Sequence, residues 1–224
     1  TKTCLVVMII ALLVINLTIP ADAAITTGSS TNATSGSGLT ITLDKPSGTV
    51  AGDVLVACIV ATSAIARRAE VTAPAGWVLI RHTDATQSWY YDMLTYYKIA
   101  GTSESASYIW SSTEYNLSGG MTRLIGVDVN HVVDVSAEAQ GQGDSPVVVT
   151  TPSVSTTYAN DIVINFFGTY SPLSSPYFTE QLLGGMQPLY EYAPQKSGAI
   201  SPPNLAAYFR TITSAGPVVN RTCT

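Results

Sequence analysis

Short β-type segments follow one another through most of the chain and limit its fold more than any other feature. Leu39–Leu43 alternates apolar and polar residues, and Ser88–Ala100 is a long aromatic stretch with the same period of two. Asp53–Ala61 is almost continuously apolar, which is typical of a strand buried on both faces. Gly, Pro, Asn and Ser clusters separate the segments, and helical periodicity is absent after residue 23. The pattern predicts an all-β fold, an antiparallel jelly-roll-like β-sandwich.

The composition disfavours a nucleic-acid partner. Charged residues make up 11% of the 224 residues, and the formal net charge is −5. An average soluble chain has about 25% charged residues. Nucleic-acid binding requires clustered Lys and Arg to neutralise phosphates, and the one adjacent basic pair is Arg67-Arg68. Ser and Thr supply the polarity instead, as in a robust extracellular β-protein.

Residues 1–23 have the pattern of a signal peptide. Lys2 precedes the apolar run Cys4–Leu17, which is shorter than the about 20 residues of a membrane-spanning helix. Ala21 and Ala23 are small residues at the positions expected for cleavage before Ala24. This predicts export, with an extracellular or cell-surface location. The alternative is that residues 1–23 are retained, either as a helix in a filament core or as an apolar strand, because the run is rich in β-branched Val and Ile.

Residues 24–38 are predicted to be a Ser/Thr/Gly-rich arm. The stretch TTGSSTNATSGSG, Thr26–Gly38, has too little apolar surface to fold by itself. The β-sandwich domain is then expected to occupy residues 39–224.

Seven short motifs in a fixed order resemble a large, poorly characterised family of prokaryotic secreted and surface β-sandwich domains. They are GDVLVA (Gly52–Ala57), APAGWVLIR (Ala73–Arg81), YYKIAG (Tyr96–Gly101), ASYIW (Ala106–Trp110), GVD (Gly126–Asp128), TPSVSTT (Thr151–Thr157) and NDIVI (Asn160–Ile164). The resemblance runs from about Leu39 to about Thr213. It implies adhesion, carbohydrate contact or assembly, and it supplies no catalytic residues.

The chain departs from this resemblance at its C-terminal end. The family has a further strand after the region that matches Asn204–Thr213, whereas here the chain continues as SAGPVVNRTCT with Pro217 interrupting it. A sandwich that lacks a strand exposes backbone groups and an apolar groove, which a strand of another subunit can fill. The N-terminal arm is the expected donor, with Ala24, Ile25, Thr26 and Thr27 as the intersubunit strand. The alternative is that VVNRTCT is itself the last strand, held by Cys223.

Two kinds of covalent modification are suggested by the sequence. Asn32, Asn116 and Asn220 lie in N-glycosylation sequons, and the sequon at Asn16 would be lost with the leader. A Cys58–Cys223 disulfide would fix the tail of an exported protein. The alternative for Cys58 is a buried free thiol that packs as a small apolar residue.

Neither catalysis nor a cofactor is predicted. His82 and His131 have no nucleophile motif around them, and G-x-S-x-G is absent. Candidate calcium ligands lack the dense spacing of a calcium loop, so turn capping is the preferred interpretation; they are Asp128, Asp134, Asp144 and Asp161. The protein is therefore expected not to be an enzyme and to hold no metal.

Two functions remain after these exclusions. The first is a structural subunit of a pilus-like extracellular filament, a homopolymer assembled by N-terminal strand exchange. The second is a secreted or surface-displayed carbohydrate-binding or adhesion module whose partners are surface glycans. An aromatic cluster could serve the second as a sugar-stacking platform, although core and interface packing is the preferred interpretation of it; its members are Trp89, Tyr90, Tyr91, Tyr96 and Tyr97.

Overall fold

The regular structure is made of β-strands throughout the part of the chain that is described. The computed structural model describes residues 24–36, 38–62, 70–84, 91–113, 116–139, 149–169, 185–192, 203–218 and 222–223. In chain order its strands are β1 (Thr26–Thr34), β2 (Thr40–Asp44), β3 (Val54–Thr62), β4 (Val71–Thr72), β5 (Val78–Asp84), β6 (Tyr91–Ile99), β7 (Ser107–Ser112), β8 (Asn116–Ile125), β9 (Val149–Thr150), β10 (Val154–Thr156), β11 (Asp161–Thr169), β12 (Gln187–Tyr192), β13 (Asn204–Ile212), β14 (Gly216–Val218) and β15 (Thr222–Cys223). The all-β prediction is confirmed.

A five-stranded antiparallel sheet, in the order β1-β8-β3-β6-β5, forms the centre of the molecule. β3 is its middle strand, and all nine of its residues are buried. The continuous apolar pattern of Asp53–Ala61 therefore reports a strand covered on both faces, as predicted.

Two three-stranded antiparallel sheets cover the two faces of the central sheet. Leu55, Ala57 and Ile59 of β3 pack in one core with side chains of the β2-β7-β4 sheet. Cys58 and Val60, which point to the opposite face, pack with side chains of the β11-β13-β12 sheet. The result is a layered β-sandwich with a separate core on each side of the central sheet. The jelly-roll connection of the strands stays a prediction.

The core facing β2-β7-β4 is built on aromatic rings. Trp110 is fully buried, and its ring centroid lies 5.0 Å from that of Trp77. Tyr108 contacts Trp77 edge to face at 5.2 Å. These rings exclude water from one face of β3 and fix the distance between the two sheets.

Within the predicted arm of residues 24–38, Thr26–Thr34 forms an edge strand of the central sheet. β1 pairs antiparallel with β8, from Thr26 opposite Ile125 to Thr34 opposite Ser118. The hydroxyl of Ser30 donates to Thr122 Oγ1 at 3.0 Å, and that of Thr31 donates to the carbonyl oxygen of Asp44 at 2.7 Å. Hydroxyl side chains thus hold an edge strand that buries little apolar surface. β1 therefore belongs to the same sheet as β3, β5, β6 and β8, which follow Leu39 in the chain.

The described part of the C-terminal tail contains two short strands, β14 and β15, and the alternative prediction that VVNRTCT is the last strand of the sandwich stays a prediction. β14 pairs with β10, and β15 pairs with β9. Pro217 lies within β14 opposite Ser155, so it does not end the pairing as predicted; proline is tolerated in strands at sheet edges. Within the described ranges, neither tail strand joins the central sheet or the β11-β13-β12 sheet.

Candidate functional site

A cavity of about 450 Å³ lies between the central sheet and the β11-β13-β12 sheet. Its floor is the face of the central sheet that carries Val56, Ile80, Met93 and Leu124. One side is β11, and the other is the irregular segment of residues 126–139, called the wall segment here. We call this cavity the β11 groove.

The groove runs beside the edge of β11 that no described strand pairs with, and not over one of its faces. Seven consecutive residues, Asp161 to Phe167, all line it. Side chains alternate between the two faces of a strand, so a cavity above one face would contact every second residue. Among the described strands, β13 is the one that pairs with β11, which leaves the other edge of β11 facing the groove. The groove has the shape of a site that accommodates one additional β-strand along β11.

The sequence of β11 differs from that of two other edge strands, β5 and β12. After Asp161 it has neither charge nor proline: IVINFFGT. β5 carries Arg81, His82 and Asp84, and β12 carries Pro188 and Glu191. Charges and prolines protect sheet edges against pairing with other chains. A long edge without them, bordered by an apolar cavity, is an edge suited to pairing.

The wall segment is fastened to β5 through one arginine. The Arg81 guanidinium donates to the carbonyl oxygen of Ser136 at 2.7 Å and lies 3.5 Å from Glu138 Oε2. The same carboxylate oxygen accepts a hydrogen bond from Thr83 Oγ1 at 2.9 Å. These contacts fix the end of the wall segment that is farther along the chain.

A pair of carboxyl groups joins the wall segment to the beginning of β11. Asp134 Oδ2 accepts a hydrogen bond from the backbone N–H of Thr157 at 2.6 Å. Burial, the charge of Asp134 and a hydrogen bond with Asp134 raise the pKa of Asp161. Burial opposes ionisation of Asp134 as well, but hydrogen bonds from Thr157, Asp161 and Tyr158 outweigh it and lower the pKa of Asp134. The state in which Asp161 is protonated and Asp134 is ionised is therefore favoured over the state in which both carboxyl groups are ionised.

The outer rim of the groove is apolar and exposed. Val133, Val135 and Tyr158 line the groove, and each is more than 40% exposed. His131 stacks beside Tyr158 with ring centroids 5.9 Å apart, and its Nδ1 lies 2.9 Å from Asp128 Oδ2. The rim therefore offers apolar contact area to a chain that enters the groove.

One of the four predicted donor residues lies at this groove, and two others are paired within their own sheet. Thr26 and Thr27 pair with Ile125 and Leu124 of their own chain, and their assignment as an intersubunit strand stays a prediction. Ala24 is exposed, and Ile25 lines the groove. In this arrangement Thr26 and Thr27 belong to the edge strand of their own sheet, and their backbone groups on that side already pair with β8.

Cys58 has a free, fully buried thiol in the middle of β3. This agrees with the alternative prediction of a small apolar core residue, and the predicted bond from Cys58 to Cys223 is not formed. Cys223 lies in β15, opposite Val149, and its side chain is outside the described residues. Burial raises the pKa of the Cys58 thiol well above its usual value, so the reactive thiolate is suppressed.

The predicted glycosylation sites differ in accessibility. Asn32 is exposed on β1. Asn116 begins β8, is half-buried and lies opposite Thr62 of β3. Asn220 lies outside the described residues. Asn32 is the described sequon with open space for a glycan, and its modification stays a prediction.

The histidines and acidic residues are dispersed. His82 of β5 has a side chain that is 9% exposed, with its Nε2 3.5 Å from Asp92 Oδ2, and His131 lies apart from it at the groove. Over the described ranges, three or more His, Cys, Asp or Glu side chains do not come together as metal ligands. Asp144 lies outside these ranges. The structure thus brings together Asp134 and Asp161 of the predicted acidic set, as a carboxyl pair.

The aromatic residues do not form an open platform where the structure describes them. Tyr96 is buried against the β2-β7-β4 sheet, while Tyr97 points to the opposite face and packs near Val54 and Leu124. The predicted alternation is correct, and both faces meet a core. Trp89 and Tyr90 lie outside the described residues, as does the side chain of Tyr91.

Sequence reasoning missed the groove itself. Its floor, its β11 side and its wall segment come from distant parts of the chain, and no local motif marks them. One signal was present: Asp161–Thr169 is a long strand pattern with one charge at its start, which is unusual for an edge.

Comparison with known proteins adds no assignment. No protein-family model matches the chain, and neither curated proteins nor solved structures give a match. A search of the described residues for helices long and apolar enough to cross a membrane finds none. Function is therefore inferred from the groove.

Proposed function

We propose that this protein is a structural subunit of a pilus-like extracellular filament. Copies of the chain assemble into a homopolymer when a strand from the N-terminal part of one copy enters the β11 groove of the next. The subunits are exported and displayed at the cell surface. The role is mechanical and requires no cofactor.

The observation that supports this proposal is the edge of β11 that lies beside the cavity and is unpaired among the described strands. A strand added there gains backbone hydrogen bonds from β11 and buries its side chains on the floor of the groove. The donor and acceptor surfaces are different, so each bound copy still offers an empty groove or a free donor. Such a head-to-tail contact continues without closing and yields a filament.

The volume of the groove also falls in the range of small-molecule sites, about 300–1,000 Å³. Its extent along seven consecutive strand residues favours an extended peptide over a compact ligand. A carbohydrate-binding role has less support, because the described tyrosines of the predicted platform pack into the cores.

Electron microscopy of the purified full chain and two variants tests the proposal. Ile164→Lys places a charge in the groove, and Ile109→Lys places the same charge on β7, where Ile109 is 57% exposed. We expect filaments from the native chain and from Ile109→Lys, and their loss in Ile164→Lys. Circular dichroism of both variants establishes that each remains a folded β-protein.

Monodisperse native particles under all conditions would overturn the polymer proposal and favour a glycan-binding module. Filaments from a folded Ile164→Lys variant would show that the β11 groove is not the joint between subunits.

A further inference from the structure

We infer that the strand received by the β11 groove is the apolar segment Leu5–Ile15 of a second copy of this chain. This inference rests on the proposed function and names the partner at the same site. It also replaces the predicted donor, Ala24 to Thr27, with an earlier part of the chain.

The groove requires an apolar, uncharged strand. Its floor carries Val56, Ile80, Met93 and Leu124, with Thr83 and Thr95 as uncharged polar members. On the β11 side, Ile162, Ile164 and Phe166 pack toward the same core. A charged side chain placed on this apolar floor would lose its hydration. The charged residues that line the groove lie on β5, on the wall segment, at the start of β11 and on β13; they are Arg81, Asp128, Asp134, Glu138, Asp161 and Arg210.

Residues 24–34 do not meet this requirement. From Thr26 onward the segment reads TTGSSTNAT, and it already pairs with β8 along its length. Moving residues 26–34 into the groove would remove β1 from the central sheet in order to extend the β11-β13-β12 sheet. It would also place Thr and Ser hydroxyl groups over the apolar floor of the groove.

Leu5–Ile15 meets the requirement by composition and by length. It reads LVVMIIALLVI, without a charged residue, and is rich in the β-branched residues that favour strands. β11 is a nine-residue strand, so eleven residues suffice to pair along all of it. The other segments outside the described ranges are short or contain charged, Gly or Pro residues.

The connection between this segment and the domain is long enough to reach a neighbour. Asn16–Ala24 separates Ile15 from Ile25, and nine extended residues span about 30 Å. Ile25 itself lines the groove, so the N-terminal part of each copy leaves the domain beside that copy's own acceptor site. The donor segment is thus attached to the domain near the acceptor groove, and its nine-residue connection lets it reach the groove of a neighbouring copy. The inference requires residues 5–15 to remain in the mature chain, in place of cleavage before Ala24.

Site-directed disulfide cross-linking between two differently tagged full-length copies tests this inference. Both copies carry Cys4→Ser and Cys223→Ser and retain the buried Cys58. Donor copies have a single cysteine at one position from residue 8 to residue 12, which covers every register. Acceptor copies carry Val163→Cys or, as a second groove position, Asn165→Cys. The matched control acceptor carries Ile109→Cys on the outer face of β7.

We expect coexpressed donor and groove-acceptor copies to form a disulfide-linked heterodimer in at least one register. Paired strands hold opposite Cβ atoms about 5 Å apart, which favours a disulfide between them. Ile109 is 57% exposed on β7, away from the proposed binding site, so the Ile109→Cys control should give less than about a tenth of that yield. N-terminal sequencing of filaments purified from the native source should find residues 5–15 present.

The outcomes separate this inference from the proposed function. Filaments that form without donor-to-groove cross-links, or that begin at Ala24, overturn the inference and leave the filament proposal standing. A further variant carries the donor cysteine and the groove cysteine in one chain. If cross-links form only within this chain and not between copies, each copy fills its own groove, which also overturns the inference. Absence of filaments and of intermolecular cross-links overturns both proposals.

Discussion

Single buried polar groups in this protein are held by hydrogen bonds that can be tested one at a time. Glu104 is the clearest case, with a side chain 7% exposed. Its Oε1 accepts from the Gly101 N–H at 2.7 Å and from Lys98 Nζ at 2.9 Å, and its Oε2 accepts from the Tyr108 hydroxyl at 2.5 Å. Burial raises the pKa of Glu104, but these three hydrogen bonds outweigh it and lower the pKa below its usual value.

Replacement of Glu104 by Gln is expected to lower the free energy of unfolding at pH 7 by about 1–3 kcal/mol, because the charge-assisted bonds to Lys98 and Tyr108 are lost. A lowered carboxyl pKa stabilises the fold above the unfolded value of about 4.3 and stops doing so as pH falls through the folded value. The difference from the native chain should therefore shrink below about pH 4. Urea unfolding at pH 7 and pH 3 measures both effects. Glu70→Gln, at an exposed position, is the control and should change stability by less than about 0.5 kcal/mol.

Cys58 is expected to resist alkylation in the folded protein and to react fully in urea. Its thiol is buried, and burial keeps its pKa high, so both access and thiolate formation are blocked. Maleimide labelling followed by peptide mass spectrometry assigns the modification to each cysteine. Recovery of a Cys58–Cys223 disulfide-linked peptide from unreduced protein would contradict the free thiol.

Gly120 is expected to tolerate no side chain. A Cβ built at this position would lie 2.3 Å from the Tyr190 ring, which packs directly on the strand. Gly120→Ala should lower the free energy of unfolding by about 1–3 kcal/mol through overpacking. Combining it with Tyr190→Leu should cost less than the sum of the two single changes, measured by urea unfolding. Strict additivity would mean that the ring moves aside freely.

At the scale of elements, the contact between the wall segment and β11 should depend on pH. The pKa of Asp161 is raised, so its contribution to stability is complete below the unfolded value of about 3.9 and is lost as pH rises through the folded value. Asp161→Asn cannot ionise and keeps a donor for Asp134. We expect this variant to be more stable than the native chain at pH 7 and equal to it near pH 3, as measured by urea unfolding.

Asp44→Asn, at the exposed end of β2, is the matched control and should show no such pH-dependent gain. A native chain as stable as Asp161→Asn at pH 7 would mean that the two carboxyl groups do not repel each other there.

Elements with strong local patterns were predictable from the sequence, and elements that depend on distant partners were not. β3 and β6 follow from apolar continuity and alternation, because their side chains meet cores on both faces. β1 was missed, because its Thr and Ser residues bury little apolar surface and are held by β8 and Asp44, far away in sequence. The groove was missed for the same reason: β5, β11 and the wall segment meet only in the folded chain.

At the scale of the whole molecule, exchange of backbone hydrogens should report both the layers and the assembly. β3 pairs on both sides and is covered on both faces, so its amides should exchange most slowly in every state. The β11 amides that face the groove should exchange fast in dispersed subunits and at least tenfold more slowly in filaments. Hydrogen–deuterium exchange with mass spectrometry compares the two states, and β3 is the internal reference. Unchanged β11 exchange on polymerisation would place the subunit joint elsewhere.

The double coverage of β3 also affects how the sequence can vary. An ordinary surface strand has one face on which substitutions are nearly neutral, but each of the nine positions of β3 contacts a packed layer. A library that randomises Val54–Thr62 should therefore lose variants at odd and even positions alike. The same library on β1, whose residues are half-buried or exposed, should retain most of its diversity. Tolerance to mutation in this protein thus depends on whether a strand lies in the centre of the layers or at an edge, and less on which face of the strand a side chain occupies.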